Sequence, residues 1–260
     1  MGDDGSTPRP PVIWARPERP ARGPQPSLTR DQIARAAIEI ADAKGIEAVS
    51  MRRVAAAVGA GTMSLYRYVA RKDDLIDLMG DAVVAELDLP DAPSGDWRAD
   101  ILLIAKRNRE LYLRHPWSAT LGLARPSLGP NQLRALEYAM RVVDGLGLHV
   151  DDMMAIGTTV AAFVRGFVQA ELAEVEGQRR TGMTEDQWRL AMLPYVKSLL
   201  ESGRYPMLSR IIMEGEDPDL DVAFEQGVRR ILDGLALGLG IDPALGGAGR
   251  TVARKRRPRG

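Results

Sequence analysis

The chain has 260 residues, with 35 basic and 35 acidic side chains and therefore no formal net charge. It contains no cysteine, which excludes disulfide bonds and thiolate chemistry. Aliphatic residues are frequent and aromatic residues make up only 5% of the chain, which favours close helix packing over a sheet. No run of about 18 apolar residues and no signal-type apolar segment is present. The composition therefore predicts a cytoplasmic protein with no membrane partner.

Residues 1–27 are rich in proline, glycine and arginine and are predicted to form a flexible N-terminal arm. Arg19 and Arg22 are candidates for minor-groove contacts, because arginine-bearing N-terminal arms bind there in other proteins. A solvated leader without a function is the alternative. The only apolar cluster in the arm, Val12-Ile13-Trp14, is either an anchor or an isolated apolar spot. Residues 243–260 are predicted to form a basic, disordered tail.

The most informative stretch is SMRRVAAAVGAGTMSLYRYVARK, from Ser50 to Lys72. Ser50 is a suitable N-cap for a short amphipathic helix, and Gly59-Ala60-Gly61 supplies residues that tolerate a sharp turn. A second helix is predicted over 62–69, with Leu65 and Val69 inward and hydrogen-bonding, aromatic and basic side chains outward. A short helix with such an outer face suits the DNA major groove. The pattern predicts a helix-turn-helix within a DNA-binding domain over residues 28–72.

Both flanks support this interpretation. Thr29 and Gln32 form a predicted capping box before a helix that ends at Lys44-Gly45, and an apolar stripe resumes at Leu75. From Arg30 to Lys72 the chain has eight basic and four acidic residues, so this head is positive by four although the whole chain is neutral. A local positive charge of this kind is typical of a nucleic-acid interface.

The stretches AKGIEAVSMRRVA, VGAGTMSLYRYV and RKDDLIDLM, between about Leu28 and Met79, resemble the TetR family of bacterial transcriptional repressors. The resemblance implies a homodimer that binds double-stranded DNA at a palindromic operator, near the nucleoid, and is released by a small-molecule inducer. It also implies a divergent C-terminal domain for ligand binding and dimerisation. The residues that match the family's DNA contacts are Arg52, Thr62, Met63, Ser64, Tyr66, Arg67, Tyr68 and Lys72. Met63 departs from the more usual proline or small residue, which leaves the operator sequence open.

The body, residues 73–242, is predicted to be entirely helical, so the fold class is all-α. A long helix over 97–114 is broken at His115-Pro116-Trp117, and further helices are predicted over 131–146 and from 151 or 152 to about 176. A polar loop over 177–184 precedes a helix disturbed at Pro194, a break at Ser202-Gly203, and a short helix from Pro206. The apolar stripes over Met153–Val168 and Phe224–Leu239 are predicted to form a four-helix bundle with the partner subunit.

The inducer site is predicted where bulky apolar side chains meet helix breaks. Such stripes are more often plain core, but together they predict an apolar pocket for a hydrophobic compound such as an antibiotic. Arg165, Gln169 and His115 are the candidate polar anchors. In addition to Arg165, the candidates are His115, Trp117, Leu121, Met140, Met154, Phe163, Phe167, Gln169, Trp188, Met192 and Tyr195.

An enzyme is not expected. The two histidines, His115 and His149, are far apart in sequence, and no metal-binding, phosphate-binding or nucleophile-elbow motif is present. No cofactor and no metal site are predicted. The alternative that stays open is a helix-turn-helix activator, or a regulator controlled by a protein partner instead of a small molecule. An enzyme or carrier with an attached helix-turn-helix is a weaker alternative.

Overall fold

The computed structural model describes residues 12–16, 28–121, 127–216, 219–242 and residue 245. The described parts contain ten α-helices and no β-strand. The helices are α1 (Arg30–Lys44), α2 (Met51–Ala57), α3 (Thr62–Leu65), α4 (Lys72–Val84), α5 (Trp97–Arg114), α6 (Pro130–Val143), α7 (Val150–Thr181), α8 (Glu185–Glu201), α9 (Pro206–Glu214) and α10 (Leu220–Gly238). The all-α prediction is confirmed.

Local signals account for most helix boundaries. The capping boxes at Thr29 and Thr184 are both formed, with each threonine side chain accepting from the backbone N–H three residues later. Helix α5 ends at the predicted break, because the residue before Pro116 cannot keep helical geometry, and a 3₁₀ turn over Pro116–Thr120 follows. This turn, called the 116–120 turn below, contributes to both the head contact and the cavity.

Two boundaries differ from the prediction. Helix α3 ends at Leu65, because the backbone N–H groups of Arg67 and Tyr68 bond to carbonyls three residues earlier. Leu65 and Val69 are nevertheless both fully buried, as expected. Helix α7 continues through Gly177 and ends at Gly182, which adopts φ +68°; an interior glycine costs only about 1 kcal/mol. Helix α8, predicted to be disturbed at Pro194, runs from Glu185 to Glu201 with that proline in its interior.

Two apolar cores organise the chain. The first joins α1, α2 and α3 to α4 and contains Ile33, Val54, Leu65, Leu75 and Met79. The second joins α5, α6, α7 and α10. Because the first core continues across Lys72 into α4, this helix packs with the head. Its C-terminal half also contacts α6 of the body.

The apolar stripes predicted to meet a partner subunit are partly buried within the chain. Ile156, Val160, Val164 and Val168 of α7 are buried in the second core, where they pack with the stripe of α10 that includes Phe224. Within one chain the two stripes cover each other and α5, while Met153, Phe167, Ile231 and Leu235 stay half-buried; their pairing with a partner subunit stays a prediction. By length and composition alone α7 could also cross a membrane, but its stripe is occupied by these neighbours.

Helices α8 and α9 differ from all the others in having no buried residue. They pack against each other, and their large apolar side chains are left on the surface. Trp188, Leu190, Tyr195, Ile211 and Met213 are each at least half exposed. The apolar surface of α8 and α9 is therefore uncovered within a single chain.

Part of the predicted flexible arm is held in place. Ile13 is fully buried in the first core, and the Trp14 indole N–H donates to the carbonyl of Ser127 over 2.8 Å. The Arg30 guanidinium donates to the carbonyls of Ile13 and Arg16. Residues 12–16, called the strap below, therefore correct the prediction of a flexible arm over 1–27: the apolar cluster is an anchor. Arg19 and Arg22 lie outside the described residues.

Candidate DNA-binding head and ligand cavity

The helix-turn-helix is built from α2, the turn at residues 58–61 and α3. The Ser50 hydroxyl accepts from the backbone N–H of Arg53, which caps α2, and Gly59 adopts φ +68° in the turn. A residue with a β-carbon is strained at that φ, so glycine allows the chain to turn directly into α3. Val54 and Leu65 are fully buried between the two helices and α1, which fixes their angle.

The outer face of α3 and its flanks carries the predicted DNA contacts. Met63 is 79% exposed and Tyr66 is 43% exposed, and Arg67 is also on the surface. Thr62, Ser64 and Tyr68 are half-buried, and Tyr68 packs partly against the first core. The structure thus brings six of the predicted contacts, Thr62, Met63, Ser64, Tyr66, Arg67 and Tyr68, to one short segment; their role in binding DNA stays a prediction.

The basic residues around this segment are of two kinds. Arg52 at the start of α2 and Lys72 at the start of α4 are exposed and form no ion pair with any other described residue. Arg67 donates to the Ser64 hydroxyl over 3.1 Å, which orients it on the surface. Arg53 instead donates to the Ala48 carbonyl, and Arg71 pairs with Asp74 at 3.2 Å. Arg52 and Lys72, two of the predicted DNA contacts, are therefore not held by ion pairs with other described residues.

Asp74, in the first turn of α4, connects the head to the strap. Its side chain is almost completely buried and lies 2.7 Å from the Arg16 guanidinium and 3.2 Å from that of Arg71. Burial works to raise the pKa of Asp74, but the hydrogen bonds and charges of Arg16 and Arg71 outweigh it and hold the pKa below its usual range. The ionised carboxylate therefore fastens the strap to α4.

A cavity of about 530 Å³ lies between α4 and the body helices. Its walls are Gly80, Val83 and Val84 of α4, the inner face of α5, Ser118 and Leu121 at the 116–120 turn, Gln132 to Met140 on α6, and Met154 to Arg165 on α7. Most of these side chains are aliphatic, and the volume is in the range of sites that hold drug-sized molecules. The cavity touches the C-terminal half of α4, whose N-terminal end carries Lys72.

The structure brings only part of the predicted ligand set to this cavity. Leu121, Met140 and Met154 line it, and so does the predicted anchor Arg165. Gln169 is exposed on α7, outside the lining. Trp188, Met192 and Tyr195 lie on α8, on the apolar surface that is uncovered within a single chain. For these four residues a role in ligand binding stays a prediction that the lining does not support.

His115 and Trp117 are buried but face the head, not the cavity. The two ring nitrogens of His115 lie 2.8 Å from an Asp42 carboxylate oxygen and 3.2 Å from one of Glu86. The Trp117 indole N–H donates to the same Asp42 oxygen over 2.7 Å. The 116–120 turn is therefore attached to α1 through Asp42, while Ser118 of the same turn lines the cavity.

Phe163 and Phe167 belong to an aromatic cluster with Phe224 of α10. The Phe167 and Phe224 ring centroids are 5.2 Å apart, and the Arg109 guanidinium lies over the Phe224 ring at 5.0 Å. Arg109 is paired with Glu171 at 2.7 Å and with Asp221 at 2.6 Å. The aromatic cluster is thus part of the packing between α5, α7 and α10. Phe163 and Phe167 therefore do not line the cavity.

Sequence reasoning missed a further link between α4 and α6. The buried carboxylate of Asp81 accepts from the backbone N–H groups of Asn131 and Gln132, each over 2.9 Å, and from the Asn131 side chain over 2.8 Å. It thereby caps α6 from another helix, and a β-carbon on Gly129 would lie 2.1 Å from one of its oxygens. The signals were an aspartate within the apolar face of α4 and a helix at Gly129-Pro130 without its own side-chain cap.

Comparisons with known proteins agree with this arrangement. The family described as "Bacterial regulatory proteins, tetR family" matches residues 33–79, and "Tetracyclin repressor-like, C-terminal domain" matches residues 89–238. The chain belongs to the TetR family. Within the TetR family, the HTH-type transcriptional repressor DrrR1 of Streptomyces coeruleorubidus is 40% identical over 225 residues, which cover 86% of this chain and 83% of DrrR1. The protein is a DNA-binding transcriptional repressor.

Solved structures give the same result for more than four fifths of the chain. Apo ActR from Streptomyces coelicolor superposes with a TM-score of 0.68 at 29% identity, covering 84% of this chain and 99% of ActR. ActR in complex with actinorhodin superposes with a TM-score of 0.67 at 31% identity, covering 83% of this chain and all of ActR. The helical body of this chain thus has the TetR-family fold. ActR was solved with this fold in complex with actinorhodin.

Proposed function

We propose that this repressor binds a palindromic operator as a homodimer and is released when an organic ligand fills the cavity between α4 and the body. Arg52, Thr62, Met63, Ser64, Tyr66, Arg67, Tyr68 and Lys72 of each subunit contact the operator. The observation that carries the proposal is that a single helix, α4, holds Lys72 at one end and lines the cavity with Gly80, Val83 and Val84 at the other. At 1.5 Å per residue, its 13 residues span about 20 Å.

The coupling follows from how the cavity walls are fastened to the head. Asp81 ties α4 to the N-terminus of α6, and Asp42 ties α1 to the 116–120 turn. A ligand that pushes apart α6, α7 and the 116–120 turn moves the attachment points of both α4 and α1. The heads of a dimer are then no longer one DNA turn apart, about 34 Å, and the affinity for the operator falls by the coupling free energy.

Dimerisation accounts for the uncovered surface of α8 and α9. A second copy of the chain covers Trp188, Leu190, Tyr195, Ile211 and Met213 without any change inside the first copy. Exposed apolar area of this extent marks an association surface, and two-fold pairing presents the same patch on both subunits. A compact dimer also places two recognition helices on one face of the DNA.

The experiment that tests this proposal has two steps. Selection from a random duplex pool, repeated at two salt concentrations, is expected to enrich a palindrome with half-sites one helical turn apart. A library of apolar compounds is then screened for those that raise the unfolding temperature of the free protein, because a ligand stabilises the state it binds. Such compounds are expected to release the selected operator. Sequence-blind, salt-sensitive binding alone, or stabilising compounds that leave the operator complex unchanged, would contradict the proposal.

A further inference from the structure

The charge distribution of the cavity narrows the kind of ligand that it holds. Among the described residues that line it, Arg165 is the only one with a charged side chain, and no aspartate, glutamate, histidine or lysine is among them. The remaining lining is aliphatic, with one tyrosine and a few neutral polar groups. The cavity is therefore an apolar space with a single positive group at its wall.

Arg165 is also left without a counter-ion. It is half-buried on α7, its Nε atom has no hydrogen-bond partner, and it forms no ion pair with any other residue that the structure describes. The guanidinium of Arg109 on α5, by contrast, is paired with both Glu171 and Asp221. An anion in the cavity would give the Arg165 guanidinium the charged partner that the described residues do not supply.

A second unsatisfied group faces the same space. Ser118 is only 7% exposed, its Oγ atom has no hydrogen-bond partner, and it lines the cavity from the 116–120 turn, which packs against α7. A buried hydroxyl without a partner is uncommon in folded proteins. Asn108 adds a further polar group on α5, where its amide nitrogen already donates to the Ile104 carbonyl. Ser118 can donate to an oxygen of the ligand.

The lining argues against a ligand held through a divalent cation. Such cations are bound by carboxylate and carbonyl oxygens or by imidazole, and the lining has no carboxylate or imidazole to complete the coordination. A cation would in addition be repelled by Arg165. An anionic oxygen, by contrast, is the preferred partner of a guanidinium.

We propose that the ligand is an apolar organic acid, a ring system that carries a carboxylate or ionised phenol, and that Arg165 selects it by pairing with the anionic oxygen. This inference rests on the proposed function of the cavity as the ligand site. Arg165 supplies the charge, Ser118 supplies a hydrogen bond, and the aliphatic walls of α5, α6 and α7 bury the rings. Neutral compounds of the same shape bind, but more weakly.

The test uses matched probes that differ only in charge. Aromatic carboxylic acids of two, three and four fused rings are each paired with their primary amide, and the dissociation constants are measured by calorimetry at fixed ionic strength with a chelator present. The wild-type protein is expected to bind at least one acid tenfold or more tightly than its amide. Arg165→Gln is expected to reduce that ratio to about one while leaving the affinity for the amide unchanged, and Arg165→Lys to keep part of the preference.

Arg134→Gln is the matched control. Arg134 is exposed on α6, a helix that forms a cavity wall, but it does not line the cavity. The control removes the same charge from the chain and is expected to keep the full preference for the acid. Sedimentation of each variant checks that the oligomeric state is unchanged.

The outcomes separate the inference from the function on which it rests. Equal binding of acid and amide by the wild type, or a preference that survives Arg165→Gln, overturns the inference and leaves the cavity as a ligand site. Loss of the dimer together with weaker amide binding in Arg165→Gln also overturns it, since the guanidinium would then be a structural group. If no probe of either kind binds, both the inference and the ligand site are contradicted.

Discussion

The head and the α8–α9 pair differ in whether their apolar side chains are buried within one chain. In the head, the inward residues of α1, α2 and α3 are buried by one another and by α4, so a single chain completes this core. In α8 and α9 no residue is buried, although both helices carry several large apolar side chains. The head core is therefore complete within one chain, whereas the apolar side chains of α8 and α9 stay exposed in it, which is why we propose that a second chain covers them.

The largest expected effect tests this contrast directly with one substitution in each region. Val54→Asp places an unpaired charge in the fully buried head core and is expected to destabilise the protein by about 4 kcal/mol or more, measured by urea unfolding. Leu190→Asp changes a side chain of α8 that is 64% exposed. It is expected to weaken self-association in sedimentation at least tenfold while the helix content measured by circular dichroism stays the same. Equal unfolding by both variants would show that the two regions do not differ.

The next largest effect concerns the affinity of the head for the operator. Arg67→Ala removes a predicted base contact from both half-sites of an operator, and each good contact is worth about 1–3 kcal/mol. The operator affinity is expected to fall at least tenfold in fluorescence anisotropy, with the dimer intact. Arg35→Ala, which changes an exposed arginine of α1 outside the recognition segment, is the control and is expected to change the affinity by less than about threefold. Loss of the dimer in Arg67→Ala would mean that this residue is structural.

A smaller effect concerns the helix that the head shares with the body. Asp81→Asn replaces one of the two carboxylate oxygens that cap α6 with an amide nitrogen and is expected to cost about 1–3 kcal/mol in the free energy of unfolding. Asp77→Asn is the matched control, one turn earlier on α4. Burial and the charges of Asp74 and Asp73 raise the pKa of Asp77, so removing its charge is expected to be neutral or mildly stabilising. The reverse order of the two variants would contradict the assigned role of Asp81.

The smallest effect is a pH dependence at the strap. The pKa of Asp74 is lower in the folded protein than in the unfolded chain, so its pairing with Arg16 and Arg71 stabilises the fold above the ordinary aspartate pKa of about 4. That stability, about 1 kcal/mol or less because Arg16 is partly exposed, is lost as the pH falls through the folded pKa. Urea unfolding between pH 3 and 7 is expected to show a shallower acid decline for Arg16→Gln. An unchanged decline would show that Arg16 does not hold Asp74.

The sequence predicted best those features that depend on neighbouring residues. The capping boxes at Thr29 and Thr184, the glycine turn before α3 and the break at Pro116 act over a few residues, and the structure confirms each of them. The bonds of Asp81 with Asn131 and of His115 with Asp42 join residues 50 and 73 positions apart, which no local pattern can reveal. Periodicity also showed that α7 and α10 each have an apolar face, but not that these faces cover each other.

The central claim is that filling the cavity moves α4 and with it the two heads. Because the chain has no cysteine, Glu39→Cys places a single spin label on the exposed face of α1, away from the predicted DNA contacts. Pulsed electron paramagnetic resonance then measures the distance between the two labels of a dimer, bound to the selected operator and after addition of a stabilising ligand. The account predicts a narrow distribution on the operator and a displaced one with the ligand. A ligand that releases the operator while the distance between the labels stays unchanged would contradict it.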